Sequence, residues 1–117
     1  MLNPDQFDIV HSEDKEMDDD ASTGKFTGTH IPTGSKAQLT YTRYPHKKAL
    51  LVENMSSETQ QQGHMSHLLD HVYSKFNDHF INFQEVTPKG YKTAAKMGKK
   101  YGRTGVDHPE TGDTVEF

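Results

Sequence analysis

The most regular hydrophobic pattern in the chain is an alternation over Ala37 to Tyr44, which predicts a half-buried strand. One face holds Ala37, Leu39 and Tyr41, and the other holds Gln38, Thr40, Thr42 and Tyr44. A turn at 45–46 leads to a second strand over 48–55, whose apolar run is typical of a central strand. Apolar residues then recur at helical spacing between about 62 and 77, which predicts an amphipathic helix. Its apolar face consists of Leu68, Leu69, Val72 and Phe76.

The second half of the chain predicts one more strand and one more helix. The strand covers 80–86, with Ile81 and Phe83 on the face opposite Phe80 and Asn82. After it, a threonine at 87 suits a helix N-cap and a proline at 88 suits the first turn. This helix is predicted to end near residue 98, and residues 113–117 predict a final strand.

The first third of the chain predicts two further strands, Phe7–His11 and Lys25–Ile31, separated by a polar linker over 12–23. We therefore expect an N-terminal strand and acidic linker at 1–23, followed by the main domain at 24–117, within a single domain overall. A strand-rich first half followed by strand, helix, strand and helix predicts an α+β fold. The expected core is a mixed, mostly antiparallel central sheet with two main helices.

Composition narrows the class of protein. The chain has 117 residues, of which 31% are hydrophobic, and it lacks cysteine, so it has no disulfide and no thiol nucleophile. No apolar run approaches the roughly 20 residues that span a bilayer, and the N-terminus lacks the pattern of a signal peptide. We therefore expect a cytoplasmic protein with no membrane partner. A net charge of −4 argues against nucleic acid as a partner.

Charge is unevenly distributed along the chain. Six acidic residues lie within 12–20, and six basic residues with no acid lie within 89–103. The acidic run has almost no apolar residue, so we interpret it as a mobile linker. The alternative is an acidic wall that attracts a cationic acceptor, such as a lysine or a polyamine. The basic run is either the polar face of a helix or a contact for phosphates or an acidic partner.

One turn carries the pattern of a phosphate-binding loop. Between the strand at 48–55 and the first helix lie Gln60, Gln61, Gln62, Gly63, His64, Met65 and Ser66. In a strand-turn-helix arrangement the first N–H groups of the helix point at an anion, and the helix dipole adds positive partial charge there. The sequence therefore predicts an anion-binding site at this turn.

This turn resembles the pyrophosphate loop of the GNAT acetyltransferase superfamily, usually written Q/R-x-x-G-x-G/A. Gln60 and Gly63 match, whereas Met65 stands where a second Gly or Ala is usual. A later stretch resembles the family's second strand-loop-helix, with Thr87-Pro88 at its start and Lys96-Met97-Gly98 near its end. The resemblance covers residues 49–98, and it implies a short, divergent member of the superfamily.

The resemblance implies an acetyl-CoA-dependent N-acetyltransferase that acts on a primary amine of a protein or a small molecule. The implied cofactor residues are Asn54, Met55, Gln60, Gln61, Gln62, Gly63, His64, Met65, Ser66 and Thr87. Glu53, at the end of the central strand, is the candidate proton acceptor for the amine. Family members often have a Tyr near the second helix that protonates the leaving thiolate. That position is Ala94 here, so Tyr91, one turn earlier, is the candidate substitute.

Two other interpretations stay open at this point. One is a catalytically silent GNAT-like protein that acts by binding another protein, which the absent Tyr at position 94 favours. The other is an unrelated α+β binding module. Among the eight histidines, His67 and His71 have the i, i+4 spacing of a metal edge, but they lie opposite the apolar helix face and no third ligand has a recognisable spacing. We therefore expect no metal.

Overall fold

The fold is described from a computed structural model, which covers residues 6–15, 21–58, 63–84 and 87–117. These residues form seven strands and two α-helices. The strands are β1 (Phe7–Lys15), β2 (Ser22–His30), β3 (Ser35–Tyr44), β4 (Ala49–Ser57), β5 (Phe80–Phe83), β6 (Thr104–Asp107) and β7 (Thr114–Glu116). The helices are α1 (His64–Lys75) and α2 (Pro88–Tyr101), and a 3₁₀ turn, Pro45–Lys47, links β3 to β4.

All seven strands form one sheet in the order of the chain. Strands β1 to β4 are antiparallel, β4, β5 and β6 are parallel, and β7 is antiparallel to β6. The predicted α+β class, with a mixed, mostly antiparallel sheet and two main helices, is confirmed. The strand predicted for 113–117 is present as β7.

Both helices pack on the same face of the sheet. α1 connects the parallel strands β4 and β5, and α2 connects β5 and β6, so the usual right-handed crossover places both on one side. α1 contacts β2, β3 and β4, whereas α2 contacts β6 and α1. The core lies between these layers and includes Phe26, Leu39, Tyr41, Leu50, Val52, Leu68, Leu69, Val72, Ile81, Phe83 and Met97. Among the described residues, the opposite face of the sheet carries no helix.

A β-bulge in β4 changes which residues face the core. Thr40 pairs with Asn54 and Tyr41 pairs with Val52, so Glu53 is the extra residue. Because a bulge shifts the alternation by one position, Glu53 and Asn54 are both exposed on the uncovered face, and Met55 packs against the core. The bulge therefore sets the orientation of the strand end that the sequence analysis singled out.

The predicted linker at 12–23 is wrong at both of its ends. Ser12 to Lys15 continue β1, and Ser22 and Thr23 begin β2, so the two strands pair from Phe7 opposite His30 to Lys15 opposite Ser22. These residues are polar, so their hydrophobic pattern does not predict a strand. Pairing between β1 and β2 holds them in one. Consequently part of the segment predicted to be mobile is ordered in the sheet. Residues 16–20 lie outside the described residues.

The second half of the chain also differs from the prediction. The strand predicted for 80–86 ends at Phe83, and residues 85–86 lie outside the described part of the chain. α2 continues past Gly98 to Tyr101 and ends at Gly102, whose φ of 67° terminates the helix. β6 was not predicted.

A polar cluster fastens the edge strand β1 to the interior of the sheet. The Arg43 guanidinium donates two hydrogen bonds to the Glu13 carboxylate, at 2.5 and 2.9 Å, and the Tyr41 hydroxyl donates a third at 2.8 Å. Nε2 of His11 lies 2.5 Å from the same hydroxyl. The hydrogen bonds from Arg43 hold the pKa of Glu13 below its usual range. An inward Glu13 therefore stabilises a strand that is otherwise acidic and exposed.

Candidate functional site

The backbone of β4 loses its neighbour part-way along the strand. Its last contact with the β5 side is the hydrogen bond from the N–H of Gln84 to the carbonyl of Val52, at 3.2 Å. Beyond Val52, β4 pairs only with β3 among the described residues. The N–H of Glu58 donates to the carbonyl of Lys36 on that side, at 2.8 Å. Because backbone groups alternate in direction along a strand, those of Met55 point the other way, into a gap that begins where the described part of β5 ends.

A groove occupies this gap. It encloses about 110 Å³ and lies between the end of β4 and the first turns of both helices. Its lining consists of Met55, Ser56, Ser57, Met65, Lys89, Gly90 and Thr93. We call these residues the helix-side groove. Three separate elements of the chain therefore converge where β4 has no β5 partner.

Both helix N-termini bring positive partial charge to the helix-side groove. Gly63 is the N-cap of α1 with a φ of 76°, and neither a side-chain cap nor an acidic residue occupies that first turn. The first N–H groups of α1, including that of Met65, are therefore suited to an anion. α2 begins next to the groove at Pro88, and Lys89 in its first turn adds a full positive charge. This electrostatic arrangement favours an anionic ligand.

The predicted cofactor residues divide into three groups. Met55 and Met65 line the helix-side groove. Ser66 lies half-buried in the first turn of α1, and Thr87 uses its hydroxyl to accept the N–H of Gly90 at 3.1 Å, as the predicted N-cap. Gln60, Gln61 and Gln62 lie outside the described residues. Thus Met55 of β4, Met65 of α1 and the first turn of α2 line one groove.

His64 is the exception among these residues, because its side chain faces the core. It is 1% exposed, its ring lies 5.6 Å from that of Phe7 and 4.9 Å from that of His30, and neither ring nitrogen has a hydrogen-bond partner. Burial, together with the charges of His30 and His67, lowers the pKa of His64. Only the backbone N–H of His64 is therefore suited to contact an anion in the groove.

The burial of His64 predicts a loss of stability in mild acid. A histidine whose pKa is lower in the folded state stabilises the fold fully above its unfolded pKa, about 6.5, and progressively less below it. We expect the free energy of unfolding, measured with urea, to fall from pH 7 to pH 5. In His64→Phe this fall should be smaller, because phenylalanine keeps a ring against Phe7 without the unbonded nitrogens.

The contribution of His64 to this slope can be separated from those of other titratable groups. The pKa of Glu13 is lowered, so loss of its charge affects stability only below about pH 4.3. His11 and His71, whose pKa values burial also lowers, should keep part of the slope in His64→Phe. An unchanged slope in His64→Phe would contradict the prediction.

Glu53 and Asn54 lie on the uncovered face of the sheet, opposite the helix-side groove. Glu53 is exposed at the bulge, and its Oε1 accepts a hydrogen bond from the hydroxyl of Thr42 at 2.6 Å. It borders a second, shallow depression of about 330 Å³ on that face. The candidate base and the groove therefore belong to opposite faces of the strand that separates them.

Tyr91 is not brought to the groove. It is half-buried against the core, and its ring meets that of His108 edge-on at 4.9 Å. Neighbouring positions on α2, Lys89 and Thr93, line the groove instead. The helical period places Tyr91 on another side of α2, so the geometry gives no support to its predicted role as a proton donor.

The groove also contains residues that the sequence analysis did not select. Lys89 and Thr93 have the i, i+4 spacing of one helix face. The sequence shows this spacing, but it does not show which element that face of the helix meets. Ser56 follows Met55 on β4, one residue past the predicted end of that strand. Thr42 was assigned to a polar strand face, and its contact with Glu53 depends on cross-strand register, which no local pattern reveals.

The histidine pair on α1 has structural partners. The ring of His67 contacts Phe7 edge-on at 4.8 Å, and that of His71 lies 5.8 Å from the ring of Phe26. In the described part of the chain, no three His, Cys, Asp or Glu side chains are placed to hold a metal ion together. The described helices include none with the length and apolar character needed to cross a membrane.

Comparisons with known proteins do not assign the chain to a family. No model of a protein family matches it, and searches of curated proteins and of solved structures give no match either.

Proposed function

We propose that this protein binds acetyl-CoA in the helix-side groove and transfers the acetyl group to a primary amine. The observation that carries the proposal is the end of β4, which has no β5 partner among the described residues and shares a groove with the first turn of α1. In acetyl-CoA an extended, amide-containing arm is linked to phosphates. Strand backbone suits the amides of the arm, and an anion site suits the phosphates. The proposal makes the protein GNAT-like and places it in the cytoplasm.

The residues of the groove suit the two chemical parts of this ligand. The backbone carbonyl of Met55 accepts a hydrogen bond from an amide of the pantetheine arm, as the backbone of a paired strand would. The N–H groups of Met65 and Ser66 suit the diphosphate, and the charge of Lys89 adds to theirs. In this proposal the turn at 60–62 contributes to the same contact. A volume of about 110 Å³ suits a narrow chain and not a whole nucleotide.

The bulge provides the groups that act on the acceptor. Acetyl-CoA supplies an acetyl group activated as a thioester. The N–H of Met55 is fixed in the strand and suits the negative charge that develops on the acyl oxygen. Glu53 takes the proton of the attacking amine, and Thr42 holds the carboxylate in place.

A non-catalytic GNAT-like protein that binds another protein is the second candidate. The placement of Tyr91 against His108 favours it, because no tyrosine is among the groove residues to protonate a leaving thiolate. This candidate predicts binding of acetyl-CoA without turnover. The two candidates therefore differ in one measurable property.

Calorimetry with acetyl-CoA, followed by a turnover assay on a panel of amines, tests the proposal. We expect binding, and release of free CoA when an amine is present. A thiol reagent detects that CoA without background, because the chain has no cysteine. Binding without release on any amine would favour the second candidate. Absence of binding at millimolar acetyl-CoA would remove both.

A further inference from the structure

The outer face of α2 carries a row of lysine side chains. The helix contains five lysines and no acidic residue, and all five lysines are exposed. With 3.6 residues per turn, they fall within about 100° of the helix circumference, on the side opposite the buried Ala94 and Met97. We call these residues the lysine stripe: Lys89, Lys92, Lys96, Lys99 and Lys100. Most of the basic run at 89–103 is therefore concentrated on one face of one helix.

Little in the described part of the chain balances the charge of the lysine stripe. Lys100 is the exception, because its Nζ lies 2.9 Å from Oδ1 of Asp70 on α1. No ion pair joins the other four lysines to a described residue. Within α2 no acidic residue occupies the i+3 or i+4 positions from which it would pair with a lysine on the helix surface.

The lysine stripe destabilises the helix that carries it. Lys92 and Lys96 form an i, i+4 pair of like charge, as do Lys96 and Lys100, and such pairs oppose helix formation. Lys89 and Lys92 lie near the N-terminus of α2, where the helix dipole disfavours positive charge. A helix that only covered the sheet would be more stable with acidic residues among these positions. The unbalanced charge therefore favours a surface that an anionic partner covers.

The composition of α2 narrows the class of that partner. Among the described residues, the large apolar side chains that are exposed are Val10, Ile31 and Phe80, and none of them belongs to α2. The stripe therefore lacks the apolar anchor with which an amphipathic helix enters a lipid surface. It also contains no arginine, the residue suited to bidentate contact with phosphate groups. Both observations favour carboxylates over lipid or nucleic acid.

The charge of the rest of the chain also favours a small contact. The whole chain has a net charge of −4 and α2 contributes +5, so the other residues have a net charge of −9. That charge opposes a large anionic surface, such as a membrane or a nucleic-acid duplex. A short segment that contacts only the stripe largely avoids it, because exposed charges more than about 8 Å apart are screened at physiological salt.

We propose that the lysine stripe binds a short segment of another protein that is rich in aspartate and glutamate. From Lys89 to Lys100 the stripe is about 16 Å long, and an extended segment of about five residues spans that length. Compact ammonium groups on flexible stems suit single carboxylates at such spacings. The inference goes beyond the proposed function and does not rest on it, because the stripe is exposed whether or not the groove holds a ligand.

Two double variants that remove the same charge test the site. Lys92→Gln with Lys96→Gln, the α2 variant, removes the centre of the stripe. Lys25→Gln with Lys36→Gln, the sheet variant, removes two exposed lysines from the uncovered face of the sheet. Glutamine and lysine have nearly equal helix propensities, so α2 should still form in the α2 variant. Lys89 stays unchanged in both, because it also lines the helix-side groove.

Melting temperatures test the repulsion within the stripe. At low salt and without a ligand, the α2 variant should melt about 2–5 °C above the original protein, and the gain should shrink at high salt. The sheet variant should show no such gain. Equal melting temperatures of the α2 variant and the original protein at low salt would show that the lysines do not oppose the helix. That result would overturn the inference, because the argument for a missing partner depends on this repulsion.

An NMR titration with a hexaglutamate peptide measures binding and locates it. At low salt we expect shifts at the amide signals of Lys92, Lys96 and Lys99, and none at those of Lys25 and Lys36. The dissociation constant should rise about 4- to 25-fold in the α2 variant, at about two- to five-fold for each exposed ion pair lost, and stay unchanged in the sheet variant. Equal loss of affinity in both variants, or no shifts on α2, would overturn the inference.

Other anionic partners are tested under the same conditions. Vesicles containing phosphatidylserine and a short DNA duplex should bind more weakly than hexaglutamate. Binding to either of them without binding to hexaglutamate would identify a lipid surface or a nucleic acid and overturn the inference. Analytical ultracentrifugation without peptide tests a second copy, since the chain has six acidic residues of its own within 12–20. Association that the α2 variant abolishes would assign the stripe to a second copy and overturn the inference of another protein.

Discussion

Replacing Glu53 by Gln is expected to lower the turnover number about 10²- to 10⁴-fold, the range for loss of a general base. The amide introduced by Glu53→Gln lacks the charge needed to take a proton from the amine, but its oxygen still accepts the hydrogen bond from Thr42. The bulge and the fold should therefore stay intact. The measurement is release of CoA under saturating acetyl-CoA, with affinity for acetyl-CoA determined separately by calorimetry.

The matched control for Glu53→Gln is Glu58→Gln. Glu58 lies just past the end of the same strand, and its Oε1 accepts the N–H of Lys36 at 2.7 Å, so this change removes the same charge and keeps a hydrogen bond. Turnover in Glu58→Gln should stay within a small factor of the original. If Glu53→Gln is equally active, water or another group accepts the proton, and the role proposed for Glu53 is wrong.

Replacing Gly63 by Val is expected to abolish the thermal stabilisation that acetyl-CoA provides. At 100 times its dissociation constant a ligand stabilises the folded state by about 2.7 kcal/mol, which raises the melting temperature of a domain of this size by on the order of 10 °C. Gly63 is the N-cap of α1 at a φ of 76°, which a β-branched residue adopts only with strain. Relief of that strain would turn the first N–H groups of α1 away from the groove.

Gly34→Val separates the effect on the ligand from the effect on the backbone. Gly34 has a φ of 72° in the turn between β2 and β3, and a side chain there would meet open space. Both variants therefore carry a similar backbone strain, and both should melt earlier without ligand. Only Gly34→Val should keep the shift with acetyl-CoA. A full shift in Gly63→Val would show that the first turn of α1 does not bind the cofactor.

Local periodicity predicted the elements whose signal is complete within one stretch of chain. The predicted apolar face consists of Leu68, Leu69 and Val72 of α1 and Phe76 at its C-cap, and all four are buried. The alternation in β3 holds in the same way, since Leu39 and Tyr41 are buried while Gln38 is exposed. These predictions succeed because a helix or strand repeats its own geometry along the sequence.

His64 shows where a local signal was present but was assigned to another role. His64, Leu68 and Val72 have i, i+4, i+8 spacing, so His64 continues the apolar face of α1 by one turn. His64 was interpreted as part of a phosphate-binding turn, which would place its side chain in the groove. The structure instead places it against Phe7, which is distant in sequence and reaches α1 only because β1 joins the sheet.

The sequence by itself determined the α+β class, the two helices, the N-cap at Thr87 and the run of strands that precedes α1. Only the tertiary structure decided that both helices cover one face, that Glu53 is a bulged residue, and that β4 outlasts β5. These features depend on register between strands far apart in the chain, and a shift of one residue reverses every side chain. The groove and the depression on the uncovered face exist because of that register, and no single stretch of the sequence encodes it.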